Sequence, residues 1–184
     1  MDPRRALRLS KMLSYGLRHA PADLGIALDA AGWADVAQLL AALGDRGEAV
    51  TRAELEALVR ASDKQRFAFS ADGARIRANQ GHSVAVDLGL ARREPPALLY
   101  HGTVDRFLDA IRASGLLRGA RSHVHLSADE GTAEKVAGRR RGARVILRVR
   151  AGEMHGEGLA FYCSENGVWL TEHVPARYID YPGA

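Results

Sequence analysis

Cysteine is nearly missing from this chain: Cys163 is the only one in 184 residues. A lone thiol excludes an internal disulfide and any cysteine-rich zinc site, and it suits a reducing compartment. Long apolar runs are missing too. No segment approaches the ~18 continuous apolar residues that read as a membrane span. The opening Met1-Asp2-Pro3-Arg4-Arg5 leads into an amphipathic run instead of the apolar centre of a signal peptide. A cytoplasmic protein without membrane attachment is the expectation. Lysine is scarce: of 26 basic residues only Lys11, Lys64 and Lys135 are lysines. A GC-rich genome would produce the same bias. The planar guanidinium fork nevertheless suits a phosphate-bearing partner, binding bidentately where an ammonium acts as a point charge. Repeats and low-complexity tracts do not occur. With 47% hydrophobic and 26% charged residues the composition is that of a globular protein, and disordered and fibrous classes are excluded.

Among what is present, the stretch Arg121-Ser122-His123-Val124-His125-Leu126-Ser127 carries the most chemistry. The two-residue period of a strand puts Arg121, His123, His125 and Ser127 on one face and Ser122, Val124 and Leu126 on the other. A solvated strand face is the plain reading. Phosphate or ribose recognition is the sharper one, because arginine offers a bidentate fork and histidine transfers a proton near neutral pH.

The first half of the chain reads as helical. Arg4 to Arg18 has Leu9, Met12, Leu13 and Gly16 at helical spacing, and Pro21 marks its end. Arg18 and His19 then fall in the last turn, where the helix dipole favours cations; the same placement also aims two phosphate donors outward. A second helix runs from Val36 to Leu43. Thr51 with Glu54 forms a capping box that opens a third, Arg52 to Ala61. Residues 66–70 and 74–78, joined by Ala71-Asp72-Gly73, have the signature of a hairpin. Three helices followed by a two-stranded wing describe a winged helix. Such modules touch nucleic acid with the second helix of the pair and the wing. Lys64 and Arg66 stand at the entry to the wing, as solvated charges or as phosphate contacts. Arg92-Arg93-Glu94-Pro95-Pro96 reads as a short stiff linker, and the domain boundary is placed there.

The second half is richer in strand. Leu98-Leu99-Tyr100-His101 ends at Gly102-Thr103, where glycine allows backbone to approach a ligand. Helices are expected over Asp105 to Ser114 and from about Asp129 to Ala137. Strands are expected over Val145–Val149, Leu159–Cys163 and Val168–Leu170, the last two joined by the turn dipeptide Asn166-Gly167.

In order and spacing these segments resemble the RNA 2′-phosphotransferase family, NAD-dependent enzymes that remove the 2′-phosphate left at a tRNA splice junction. The likeness covers essentially the whole chain. It rests on Leu9-Ser10-Lys11, Leu17-Arg18-His19, Gly81-His82-Ser83, Tyr100-His101-Gly102-Thr103 and Arg121 with His123 to Ser127. Gly138 with Arg140 and Gly142, and Ser164 to Leu170, complete it. Lys64-Gln65 lies in a loop where members vary, and Ala137 stands in place of an expected valine.

The resemblance implies an α+β fold. A winged-helix RNA-binding lobe would span residues 1–94, and an NAD-binding lobe with the split β-sheet of ADP-ribosyltransferases residues 97–184. It implies a catalytic quartet of Arg18, His19, Arg66 and Arg121. The implied NAD contacts are His101, Gly102, Thr103, His125, Ser127, Arg140, Ser164 and Asn166. NAD would be consumed as a co-substrate without a metal, the partner would be RNA bearing a 2′-phosphate, and the protein would act as a monomer.

Three rivals stand beside this reading. A metal hydrolase built on His101, His123 and His125 lacks a third-ligand motif. A winged-helix regulator leaves His101-Gly102-Thr103 and Arg121 without a role. An ADP-ribosyltransferase that caps terminal phosphates of nucleic acids shares the NAD lobe and differs in stopping after one step.

Overall fold

The computed structural model describes residues 2–62 and 64–182. Helices and antiparallel strands mix along the chain, as the α+β expectation requires, in two compact units, Met1–Gly89 and Leu90–Ala184.

Each helix of the first unit starts where the sequence supplies a group to receive its first amides. Asp2 accepts the Arg5 amide at 3.0 Å and Pro3 takes the first helical position, opening α1 (Pro3–Gly16). Gly16 faces α2 (Pro21–Leu24). A Cβ there would come within 2.4 Å of Leu24 Cδ2, so the missing side chain lets the two helices touch. Strand β1 (Ala34–Asp35) leads into α3 (Val36–Gly44), capped by Asp35 on the Gln38 amide at 2.8 Å. The capping box forms as expected at α4 (Arg52–Arg60): Thr51 Oγ1 accepts the Glu54 amide and the Glu54 carboxylate accepts the Thr51 amide.

The hairpin also forms, as β2 (Phe67–Phe69) and β3 (Arg75–Ala78). It is not two-stranded, because β1 pairs with β3 and gives the antiparallel order β1-β3-β2. Two residues are too few to display a period-two pattern, which hid β1 in the sequence. Leu9, Leu13, Leu17, Leu39, Leu43, Leu55 and Ile76 are buried together as the core of this unit. Each such side chain contributes roughly 1.5–3 kcal/mol by leaving water.

The second unit runs β4 (Leu99–Val104), a 3₁₀ turn at Asp105–Phe107, α5 (Leu108–Ser114), β5 (Leu116–Leu117), β6 (Val124–Leu126) and α6 (Glu130–Ala137). There follow β7 (Arg144–Val149), α7 (Ala151–Gly156), β8 (Tyr162–Cys163), β9 (Trp169–Thr171), β10 (His173–Val174) and β11 (Ile179–Asp180). Two three-stranded antiparallel sheets result, β11-β7-β4 and β6-β9-β8, with β10 and β5 as a separate pair. The two sheets meet at an isolated backbone bridge, where Tyr100 and Ser127 exchange both hydrogen bonds at 2.9 and 2.8 Å. Between the strands lie buried Leu99, Val124, Leu126, Leu147, Val149, Met154 and Phe161.

Several boundaries differ from the sequence reading. The Leu159–Cys163 strand shrinks to β8: the Leu159 amide closes α7 onto Met154 O, and the Ala160 carbonyl accepts from Thr171 Oγ1. The Asp105–Ser114 helix begins as a 3₁₀ turn. The stretch read as a linker is held to the second unit, with Arg92 bridged to Tyr162 and the Arg93 amide on Phe161 O. Among the described residues no helix is long and apolar enough to cross a membrane.

Candidate functional site

In the first unit Arg18 and His19 sit beyond α1, not in its last turn as expected. The amides of Arg18, His19 and Ala20 all converge on the Tyr15 carbonyl, at 3.4, 2.8 and 3.2 Å, so the helix tightens into a turn. Ala20 precedes Pro21, whose ring bars it from helical geometry; its φ is −145°. The turn is fastened from outside by Ser83. Its amide donates to Arg18 O at 2.9 Å, and its hydroxyl lies 2.9 Å from His19 Nδ1. Beside it His82 is 1% exposed. Burial, reinforced by the charges of Arg18, His19 and Arg77, pulls its pKa down to about 4, so it is neutral at pH 7.

Arg66 leaves the loop before β2, half-buried, with Nη1 3.4 Å from Ser62 Oγ. The preceding Gln65 has a φ of 39°, left-handed for a residue that is not glycine. Asn79, at the end of β3, holds this bend: its Nδ2 donates to Gln65 O at 2.6 Å and its amide to Arg66 O at 3.0 Å. Arg77 lies over Trp33 at 4.4 Å, with Arg75 at 5.6 Å from the same ring.

In the second unit His101 and His125 come together across the junction of the sheets, His101 Nδ1 lying 3.1 Å from the His125 carbonyl. Burial lowers the His101 pKa. The bond to His125 opposes this, and Arg140 and Arg121 lower it further. Desolvation, with Arg140 and Arg139, likewise lowers the pKa of the Arg121 guanidinium. Arg140 in turn stacks over Phe107 at 5.1 Å, and Arg106 approaches the same ring at 4.9 Å. Thus His101, Arg121, Arg139 and Arg140 share one field. Ser127 belongs to the bridge with Tyr100, and Thr103 is buried on β4.

Two expectations are corrected here. The Arg121–Ser127 strand exists only as β6: its partner β9 ends at Thr171, and the chain beyond pairs with β5 instead, so residues 121–123 have no ladder and bend. Arg121 is therefore placed by the turn that joins its amide to Arg118 O, not by strand alternation. Gly102 does not end β4. It lies inside it, and the space of its absent Cβ is filled by α6: that atom would stand 1.9 Å from Ala133 O and 2.9 Å from Ala137 N. Glycine at this position lets α6 pack directly on β4. Ser164 and Asn166 lie in the turn between β8 and β9, where the Ser164 hydroxyl is 2.7 Å from Asn166 Oδ1 and accepts the Val168 amide at 3.1 Å.

The contacts of Asn79, His82 and Ser83 with this region are not legible in the sequence, where only the run Gly81-His82-Ser83 stands out. Nor is Phe107 legible there as the platform for Arg140. Among the described residues no three His, Cys, Asp or Glu side chains gather as a metal site would require.

Comparison with known proteins places this geometry in a family context. The family model described as "RNA 2'-phosphotransferase, Tpt1 / KptA family" matches residues 4–173. A protein of Pseudomonas aeruginosa (strain UCBPP-PA14) named "Probable RNA 2'-phosphotransferase" is 54% identical, over 97% of this chain and 98% of that relative. One of Agrobacterium fabrum with the same name is 55% identical, over 92% and 91%. A third, of Flavobacterium johnsoniae, is 48% identical over 98% and 99%.

Proposed function

The chain belongs to the RNA 2'-phosphotransferase, Tpt1 / KptA family, and on that premise we propose that it transfers an internal RNA 2′-phosphate to NAD. The observation that carries the reading is the sign of the local field. In the first unit the charges acting on His82 are Arg18, His19 and Arg77, and in the second those acting on His101 and Arg121 are Arg140, Arg139 and Arg121 itself. The guanidinium groups among them are permanently cationic, so both places favour polyanions such as an RNA phosphate or the pyrophosphate of a dinucleotide.

Two architectural assignments go with this reading. The order helix, short helix, strand, helix, helix, hairpin, with sheet order β1-β3-β2, supports a winged-helix RNA module in the first unit. The pair of three-stranded sheets meeting at Tyr100 and Ser127 supports an NAD-binding, ADP-ribosyltransferase-like second unit. The enzyme acts as a cytoplasmic monomer.

The reaction has two steps. In the first, an oxygen of the RNA 2′-phosphate bonds to C1″ of the nicotinamide ribose, and the glycosidic bond breaks with nicotinamide taking the electron pair. In the second, the ribose 2″-oxygen bonds to phosphorus and the bond to the RNA 2′-oxygen breaks. One proton leaves the 2″-hydroxyl and one arrives on the RNA 2′-oxygen. The products are RNA with a free 2′-hydroxyl and ADP-ribose 1″,2″-cyclic phosphate. Arg18, Arg66 and Arg121 bind the phosphate oxygens as fixed donors, and His19 handles the proton of the second step. His101, with Arg140, Thr103, His125 and Ser127, is assigned to NAD.

The test is incubation with NAD and a short RNA carrying one internal 2′-phosphate, without added metal. Loss of the phosphate with release of nicotinamide and cyclic ADP-ribose phosphate is expected. A stable RNA–ADP-ribose adduct would instead identify an enzyme that stops after the first step.

A further inference from the structure

We propose that residues 79–84 are a positioning segment: Ser83 sets the orientation and ring tautomer of His19, and Asn79 holds the bend that presents Arg66. The proposal rests on the assignment of His19 and Arg66 to the phosphate. Neither residue lies in a regular element that would orient it. His19 follows the last turn of α1, and Arg66 follows a left-handed Gln65.

Ser83 grips two consecutive residues at once, Arg18 by its backbone and His19 by its side chain, and the Val84 amide adds a contact to Arg18 O at 3.4 Å. With Nδ1 of His19 engaged, proton exchange with a substrate falls to Nε2. The Ser83 hydroxyl accepts from Nδ1–H, so the neutral ring carries its proton on Nδ1 and the charged ring gains its second proton at Nε2. The same hydrogen bond therefore persists in both states. Ser83 therefore keeps the ring in one orientation through both halves of a proton transfer.

Asn79 performs the corresponding task for Arg66. A non-glycine residue at a φ of 39° is strained and persists only when its surroundings hold it. Both carbonyls flanking the bend end on Asn79, at 2.6 and 3.0 Å. From there the chain reverses at Gly81, whose φ is 89°, places His82 in the interior, and reaches Ser83. One short segment thus holds the exits of two separate elements.

The experiment compares wild type with Ser83→Ala, Ser83→Thr, His19→Ala and the double variant Ser83→Ala/His19→Ala in single turnover, with ¹⁵N NMR of the His19 ring. Ser83 is exposed, so Ser83→Ala should stay folded. Its turnover should fall about 10- to 100-fold with the NAD KM unchanged, the Nδ1 and Nε2 shifts should move toward a mixed tautomer, and Ser83→Thr should restore both. The double variant should be no slower than His19→Ala alone. For the other arm, Asn79→Ala should slow turnover, and Gln65→Gly in that background should recover it by removing the penalty of the left-handed bend. Full turnover and unaltered ring shifts in Ser83→Ala, beside an inactive His19→Ala, would overturn the positioning role and leave the assignment of His19 standing. A fully active His19→Ala would instead remove the assignment itself.

Discussion

The ring of His101 on β4 reaches the backbone of His125 on β6, with Nδ1 3.1 Å from the carbonyl oxygen. A carbonyl only accepts, so Nδ1 carries the proton and, in the neutral ring, Nε2 is the acceptor. Burial and the nearby arginines favour that neutral ring. His101 is thus prepared to receive a hydrogen bond from a co-substrate hydroxyl or amide. Replacing it by alanine should raise the KM for NAD about tenfold, the loss of one hydrogen bond of roughly 1.4 kcal/mol, while affinity for 2′-phosphorylated RNA is retained. Isothermal titration with NAD and with RNA separately checks this. An unchanged NAD affinity would show that the ring serves the sheet junction alone.

Arg121 should matter most in the second step. In the first step the phosphate is the nucleophile, and donors that hold it also withdraw its electron density. In the second the phosphorus is attacked, charge is redistributed over its oxygens, and fixed guanidinium donors gain value. Arg121→Ala should slow that step by about 10²–10³ and let the RNA-2′-phospho-ADP-ribose adduct accumulate. End-labelled RNA in a single-turnover assay follows substrate, adduct and product together. Slow consumption with no adduct would assign Arg121 to binding or to the first step.

Gly102→Ala should lower stability by about 3 kcal/mol or more, because the new methyl group would meet the backbone of α6 and helix and sheet would have to part. Thermal unfolding should show a Tm lower by more than about 10 °C. Gly156→Ala is the control: nothing lies within 4 Å of its Cβ, and its Tm should hold or rise. Equal Tm values for the two variants would contradict the packing role of Gly102.

His82 should give the protein an acid sensitivity of its own. The folded imidazole, with a pKa of about 4, stays neutral where the unfolded chain takes up a proton near 6.5. Between those values the unfolded state binds the extra proton. The contribution is therefore complete above pH 6.5, falls by up to about 1.4 kcal/mol per pH unit as pH drops toward 4, and is flat below. Urea unfolding of wild type and His82→Gln from pH 4 to 7 reads the difference. Parallel curves across that range would mean that His82 takes up its proton equally in both states.

How much of this was legible in the sequence depended on whether a residue acts locally. The capping box of Thr51 and Glu54 and the Ala71-Asp72-Gly73 turn declare themselves within four residues, and both form. Arg121 was misplaced because strand alternation presumes a partner, and only the fold reveals that β9 stops at Thr171. The packing role of Gly102 was not legible because a bare backbone looks the same to a ligand as to a helix, and α6 begins only at Glu130. Ser83 was overlooked for the same reason: its partner His19 is 64 residues away. Cationic candidates are easier to name, since their chemistry is visible before their position is.

The pairing of the strands also dictates the order in which the two units can be completed during synthesis. The hairpin of the first unit closes over a handful of residues, whereas β7 pairs with Leu99–Val104 on one side and with Ile179–Asp180 on the other. Distant pairings form late, since the entropy of closing the long loop is lost before any contact repays it. A nascent chain can therefore complete the unit that carries Arg18, His19 and Arg66 well before β7 has both of its neighbours. During that interval β7 offers an open edge, a substrate for misassociation that only the last-made strand, β11, closes.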